Sequence, residues 1–336
     1  MRISDGEAEI QTYILRRVLI AIPTLVAVSI VAFIIIQLPP GDFLTTLMAG
    51  MQGGSNLDPQ YVAFLTERYG LDQPIWVQYW RWISGIVFEG DFGQSFQWGR
   101  PVGELLWDRI GLTFLISIVT LVVIWLISFP VGIISAVKQY SIADYVFTSI
   151  SFLGLAIPNF LLALVLMYIS FAYFGQSVGG LFSPQYINAP WSWGKFVDLL
   201  AHLWIPVLVL GTAGTAELIR IMRANLLDEL HRPYVVTARA KGMRESELIV
   251  RYPVRVALNP FVSTVGWVLP SLISGDTITS VVLNLPTAGP LLLTALQSQD
   301  MYLAGSFILM LSVLTIIGTI VSDVLLAWLD PRIRYQ

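Results

Sequence analysis

The chain has 336 residues, 56% of them hydrophobic and 12% charged, with a formal net charge of −3 and a mean hydropathy of +0.72. A soluble domain carries roughly a quarter charged residues, and a larger core cannot absorb the deficit because its surface still has to be covered. Composition therefore excludes an ordinary soluble protein and leaves an integral membrane protein. The chain has no Cys, and its two His, His202 and His231, lie far apart, which removes disulfides, thiolate sites and a His metal pair from consideration.

A hydrocarbon core about 30 Å thick needs roughly 20 mostly apolar helical residues to cross it. Six stretches qualify: 14–37, 112–137, 146–174, 203–222, 260–283 and 302–328. The first is too long for a signal-peptide core and has no small-residue cleavage site after it, so it reads as a retained helix. Between the first two lies a long segment, 39–108, rich in Trp, Tyr and Gly and carrying eight acidic residues. Within it "PIWVQYWRWISGIVF" (74–88) has helical spacing, with Trp76, Tyr79, Trp80 and Ile83 grouped on one face, as in a helix lying at a membrane interface. Pro158, Pro206, Pro270 and Gly275 interrupt the later apolar stretches, which a bundle tolerates where neighbours re-satisfy the freed backbone.

Lys and Arg set the orientation. Fourteen of them (Arg2, Arg16, Arg17, Lys138, the eight from Arg220 to Arg255, Arg332 and Arg334) fall on one side, and five (Arg68, Arg81, Arg100, Arg109 and Lys195) on the other. The first side is expected to be cytoplasmic, with both termini inside. The expected organisation is 1–37 for the N-terminus and first helix, 38–111 for an external segment, and 112–336 for a five-helix core with a cytoplasmic loop at about 223–258.

The sequence holds no G-x-x-x-x-G-K-[ST] phosphate loop, no G-x-S-x-G elbow and no H-E-x-x-H pair, so no catalytic or metal-binding residue is assigned. Energy for transport must then come from an ion gradient or from a partner. An ion-coupled carrier needs acids inside its helices, and the candidates are Asp276, Glu217 and Asp323. Asp276, in "SLISGDTITS", reads either as a pore-lining carboxylate or as an acid satisfied by its neighbours or across a subunit interface. Glu217 stands three residues before Arg220, a spacing that pairs side chains on one helix face.

The region 220–259 is far longer than a plain helix–helix connection. "RPYVVTARAKG" reads as a short helix ended by Gly242, and "ESELIVRY" as a second, stopped at Pro253. Ala238, Ala240 and Gly242 would let this backbone enter a narrow cleft, where Arg239, Lys241 and Arg244 meet acidic groups or carbonyls. The alternative is a basic helix held by anionic lipid headgroups.

"TARAKG", followed by Pro260 in "RVALNP", resembles the coupling loop of inner-membrane permeases of ATP-binding-cassette importers. The likeness is to the dipeptide/oligopeptide class, in the subunit with an extra external segment. "YILRRVLIAIPTLVAVSIVAFIIIQLPPGD" (13–42), "YGLDQPIWVQYWRWI", "GDFGQSFQWGRPV" (90–102) and "LDPRIRY" (329–335) are similar to that subunit in the same order. The resemblance implies an all-α fold of six transmembrane helices, both termini inside, of the type I importer permease. It also implies half of a translocation pore for peptides or similar small solutes. The partners it implies are a homologous second permease, two ATP-binding subunits that hold the ATP and Mg, an external solute-binding protein and the lipid bilayer, with no cofactor in this chain and no nucleic acid. The setting is a bacterial or archaeal plasma membrane.

By resemblance, Val235, Val236, Thr237, Ala238, Arg239, Ala240, Lys241, Gly242, Met243 and Arg244 contact the ATPase. The family's E-A-A-x3-G pattern reads Val236-Thr237-Ala238 before Gly242 here, without the Glu. Related subunits also carry a Glu before a Pro-Gly-x-Gly turn, where this chain has "TSVVLNLPTAGP" (279–290), with Ser280 at the Glu and Thr287 at the first Gly. Asp276 is one turn away, so Asp276 and Ser280 are the pore candidates. The rival readings are an ion-coupled carrier using Asp276 and a non-transporting receptor or scaffold.

Overall fold

A peptide group in hydrocarbon has no water to bond, so a spanning backbone must bond to itself. The computed structural model describes residues 2–37, 72–95, 97–175, 179–263, 277–298 and 300–329, with the isolated positions 60, 63, 66, 67, 70 and 271. Among the described residues the named elements are all helical, apart from one isolated antiparallel bridge between Gln94 and Pro101. In chain order they are α1 (Arg2–Gln37), α2 (Ile75–Ser84, continued by a π-turn at Gly85–Glu89), α3 (Val102–Val137), α4 (Ile142–Ala156), α5 (Asn159–Phe174), α6 (Trp193–Leu230), α7 (Pro233–Ala240), α8 (Glu245–Arg251), α9 (Pro253–Ser263), α10 (Thr277–Val282), α11 (Ala288–Gln297) and α12 (Met301–Leu329).

Four of these contain spans long and apolar enough to cross a membrane: Leu15–Ile34, Val102–Val137, Trp193–Leu230 and Tyr302–Leu325. The stretch 146–174, expected as one helix, is two: α4 and α5 meet at 102°, and together they make a fifth candidate span. Proline is the cause. It disfavours helical geometry in the residue before it, and Ile157 is extended at φ −85°, ψ 121°. The Pro158 carbonyl then accepts from the Leu161 and Leu162 amides and opens α5. Pro23, Pro130 and Pro206 instead remain inside α1, α3 and α6. Of the stretch 260–283, residues 264–270 and 272–276 lie outside the described residues, and with them Pro270, Gly275 and Asp276.

Large apolar side chains stand exposed along these helices, among them Leu19, Ile20 and Val26 on α1 and Ile150, Leu153, Leu164 and Phe171 on α4 and α5. Such continuous apolar surface marks a lipid face. Hydroxyls within the helices bond back one turn, as Ser117 to the Thr113 carbonyl (2.8 Å), Ser128 to Ile124 (2.6 Å) and Thr212 to Leu208 (2.6 Å).

The chain divides into two compact units. One comprises Arg17–Leu112 and Thr287–Leu314. Its core gathers Phe33, Trp82, Leu106, Tyr302 and Phe307. Its buried Asp300 accepts from Ser95 Oγ (2.5 Å) and from the amides of Gln97 and Leu303 (both 3.2 Å), which compensates the desolvated carboxylate. The aromatic face read for α2 divides here. Tyr79, Trp82 and Ile83 pack on the core, with the Tyr79 hydroxyl 2.8 Å from Ser29 Oγ and the Phe33 ring stacked on Trp82. Trp76 and Trp80 are 70% and 65% exposed. Around α2, positions 79, 82 and 83 span the arc that packs on the core, and 76 and 80 flank it on one side.

The other unit comprises Met1–Arg16, Thr113–Pro286 and Thr315–Gln336. Its core joins Ile124 and Ala136 of α3, Leu218, Met222 and Leu226 of α6, and Val235, Leu248, Ile249 and Val254 of the segment that follows. Lys195, at the start of α6, is buried and donates to the Ala189 carbonyl (2.6 Å), with its ammonium over the Phe182 and Trp191 rings. Glycine sets the α3–α6 approach: a Cβ on Gly132 would lie 2.7 Å from Met222 Cβ and 3.2 Å from the Ile219 carbonyl oxygen. Gly132→Ala is therefore expected to destabilise the purified protein by about 1–3 kcal/mol, the usual cost of overpacking. Gly111→Ala, where a Cβ meets nothing within 4 Å, should be neutral or slightly stabilising. Thermal unfolding in detergent measures both.

Candidate functional site

The region singled out in the sequence starts where α6 ends. Leu230 is its last helical residue, and Pro233 occupies the first turn of α7 after Arg232 in an extended conformation, which suits a residue with fixed φ and no N–H. Tyr234 donates to the Glu229 carboxylate, and Arg232 lies 3.6 Å from the same side chain. Burial, with Glu229 beside it, raises the Tyr234 pKa above its ordinary value. These contacts fasten α7 to the end of α6.

α7 ends as its sequence predicts. Gly242 sits at φ +77°, its amide donates to the Arg239 carbonyl (3.0 Å), and the Met243 amide to Ala238 (3.4 Å). This pair of bonds is the Schellman arrangement, in which glycine takes the left-handed position. Ala238 and Met243 both pack against the α6 core. "ESELIVRY" forms α8 as expected, but Pro253 opens α9 rather than merely stopping a helix.

α7 is two-sided. Val235 is fully buried, Ala238 and Met243 are partly buried, and Leu248 and Ile249 anchor α8 in the same core. Val236, Thr237, Arg239, Ala240, Lys241, Gly242 and Arg244 are exposed. Val236 at 54% and Val250 at 65% leave apolar surface among these polar groups.

The three cations of this turn do not behave alike. Arg239, expected to reach outward, forms a fork with Glu245: Nε donates to Oε2 at 2.9 Å and Nη2 to Oε1 at 2.5 Å. The guanidinium holds the Glu245 carboxyl below its ordinary range, and the carboxylate raises the Arg239 pKa. Lys241 and Arg244 make no ion pair among the described residues. The cations of this turn that are left outside any ion pair among the described residues are thus Lys241 and Arg244, because Arg239 braces the turn.

Of the acids considered for ion coupling, Glu217 lies on α6 and Asp323 on α12. Asp276 lies outside the described residues, and Ser280, in α10, is buried at 4% exposure with its carbonyl accepting from the Leu285 amide. Glu217 and Arg220 do not pair. The arginine one turn on, Arg223, instead grips Asp144 of α4, with Nε to Oδ1 and Nη2 to Oδ2 both at 2.8 Å. Sequence reasoning passed over this pair because its members are 79 residues apart. The one local sign was an Asp three residues after Ser141, the N-terminal signature of a helix.

Fold and site together define an all-helical membrane protein with an anchored, partly apolar and basic helical turn exposed at the end of α6. Residues 128–335 match the family described as "Binding-protein-dependent transport system inner membrane component", and residues 10–118 match the N-terminal family of the same components. The chain belongs to this family, whose members are permease subunits rather than enzymes and leave ATP hydrolysis to separate subunits. It is 35% identical to the oligopeptide transport system permease protein AppB of Bacillus subtilis, across 96% of this chain and 99% of that one. It is 30% identical to the dipeptide transport system permease protein DppB of Escherichia coli K12 and 32% to the glutathione transport system permease protein GsiC of Salmonella paratyphi A, each across 96% of this chain and 99% of the other.

Because a Cβ on Gly242 meets nothing within 4 Å, a substitution there acts through φ alone, at a cost of about 1–2 kcal/mol for most residues. Gly242→Val is expected to speed amide exchange at Met243, and Gly242→Asn to leave it near wild type. The Glu245 carboxyl has a depressed folded-state pKa, so its contribution is present above the ordinary glutamate range and is lost as pH falls through the folded value. Amide protection in the turn, taken relative to the intrinsic exchange rate at each pH, should fall on acidification in the wild type and stay constant in Glu245→Gln.

Proposed function

We propose that the chain forms one half of the translocation pore of an ATP-driven, binding-protein-dependent importer of peptides or similar small solutes. Its membership of the family supports a partnership with ATP-binding subunits and a solute-binding protein. The names of its relatives, for oligopeptide, dipeptide and glutathione (itself a tripeptide), support a peptidic solute. The assembly proposed is a heterodimer with a homologous permease, two ATP-binding subunits that hold ATP and Mg, and a solute-binding protein outside. Six spans are proposed, both termini inside, with 38–111 external, 112–336 as the core and the coupling loop at about 223–258. The balance of fourteen basic residues against five supports this orientation.

The observation that carries the reading is the two-sidedness of α7. One face is locked into the base of α6 through Val235, and the other presents Val236, Thr237, Ala240, Lys241 and Arg244 beside the turn at Gly242. A helix exposed on one side and fixed on the other delivers a partner's movement to the helix that holds it. ATP binding would favour the state with the ATPases closed and α7 drawn with them, which opens the pore outward, and hydrolysis would restore the inward state. Asp276 is proposed to line the pore; Ser280, the second candidate, is buried within this chain.

Charge placed on the apolar part of this face tests the proposal. Val236→Glu and Ala240→Glu are each expected to weaken the contact by about 2 kcal/mol or more, the scale of an interface hot spot. Co-purification of the ATP-binding subunits would then fall roughly thirtyfold, while the permease still enters the membrane. Undiminished co-purification with both variants would overturn the docking role. Asp276→Asn should lower peptide uptake into vesicles without loss of the ATP-binding subunits.

A further inference from the structure

Between α3 and α4 the chain makes a short turn at residues 138–140, and Tyr140 is held there in the left-handed region at φ +61°. Asp144, 3% exposed, gathers this turn: its Oδ2 accepts the Tyr140 amide at 3.0 Å, and its own amide donates to Ser141 Oγ at 3.2 Å. The same carboxylate receives both arms of Arg223 from α6. One side chain thus ties the end of α3 and the start of α4 to α6.

The place of Arg223 on α6 gives the tie its meaning. It lies two turns before the last residue of α6, between Met222 and Leu226, which share a core with Val235 and Leu248 of the docking segment. A displacement of α7 therefore acts directly on the stretch of α6 that carries Arg223. Farther along, α3, α4 and α6 border an apolar cleft of about 560 Å³, lined by Val123, Ile150, Gly154, Leu208, Gly211 and Thr212 among others. Apolar contacts are non-directional and allow packed helices to slide. A two-pronged guanidinium–carboxylate bond fixes both distance and orientation, and pulling such a pair apart inside a protein leaves uncompensated charge.

We propose that Asp144 and Arg223 are positioning residues that make α4 and the end of α3 follow α6 when the docking segment moves. The pair converts a pull at α7 into movement of three helices rather than one. This inference rests on the docking role proposed for α7.

The chain has no Cys, so nitroxide labels can be placed at Tyr145→Cys on α4 and Asp228→Cys on α6 without background. The complex with its ATP-binding subunits is reconstituted in nanodiscs, and the label distance is measured without nucleotide and after trapping with ATP and vanadate. With the pair intact the distance should stay the same on trapping. In Asp144→Asn and in Arg223→Met it should change by about 2 Å or more, the scale of helix shifts in switching proteins, with the ATP-binding subunits still bound. A trapping-dependent change with the pair intact, or none in either variant, would overturn the proposal. Should Asp144→Asn or Arg223→Met not assemble, Arg223→Lys, which keeps the charge without the fork, carries the same comparison. Failure of the docking role is read separately, as undiminished co-purification with the Val236 and Ala240 variants.

Discussion

In hydrocarbon every peptide group must find its partner within the protein, and most features of this chain descend from that demand. It makes the backbone helical, sends serine and threonine hydroxyls back to carbonyls one turn earlier, and makes each proline a decision about direction. Pro206 is carried inside α6, and the helix runs unbroken from Trp193 to Leu230. Pro158 turns the chain by 102° and caps the next helix with its own carbonyl. A continuous α6 gives the segment 233–251 a single helix to pack against.

The same demand separates two kinds of charge. Lys195 is paired with carbonyls and aromatic faces, Asp300 with a hydroxyl and amides, and Asp144 with Arg223 and a turn. These buried ions are satisfied and hold architecture. Lys241 and Arg244 stand exposed on the segment 233–251 without ion-pair partners among the described residues, while Arg239 braces the turn through Glu245. What distinguishes the segment 233–251 from a merely basic loop is this division, together with the buried Val235 beneath it.

Much of the segment 233–251 could be read along the chain. The break at Gly242, the helix before it and the helix after it are local, since a left-handed cap and a proline in a first turn depend on neighbours within a few residues. The side each residue faces was not local. Arg239 looked outward in the sequence because Glu245, across the turn, is not at a helical spacing. Tyr79 and Trp80 looked alike until α1 selected one of them. Glu217 and Arg220 had the spacing of a pair, yet Arg223 found a buried partner 79 residues away.

The sequence by itself determined that this is a membrane protein with several long apolar stretches, and where a basic, glycine-capped turn interrupts them. These follow from composition and short-range periodicity, which need no knowledge of what packs on what. Only the tertiary structure decided that 146–174 is bent rather than straight, that Val235 is the anchor and Val236 the exposed neighbour, and that Asp144 is bound to Arg223. Those outcomes depend on which helices meet, and contacts between distant segments are set by the whole packing rather than by any stretch of the chain.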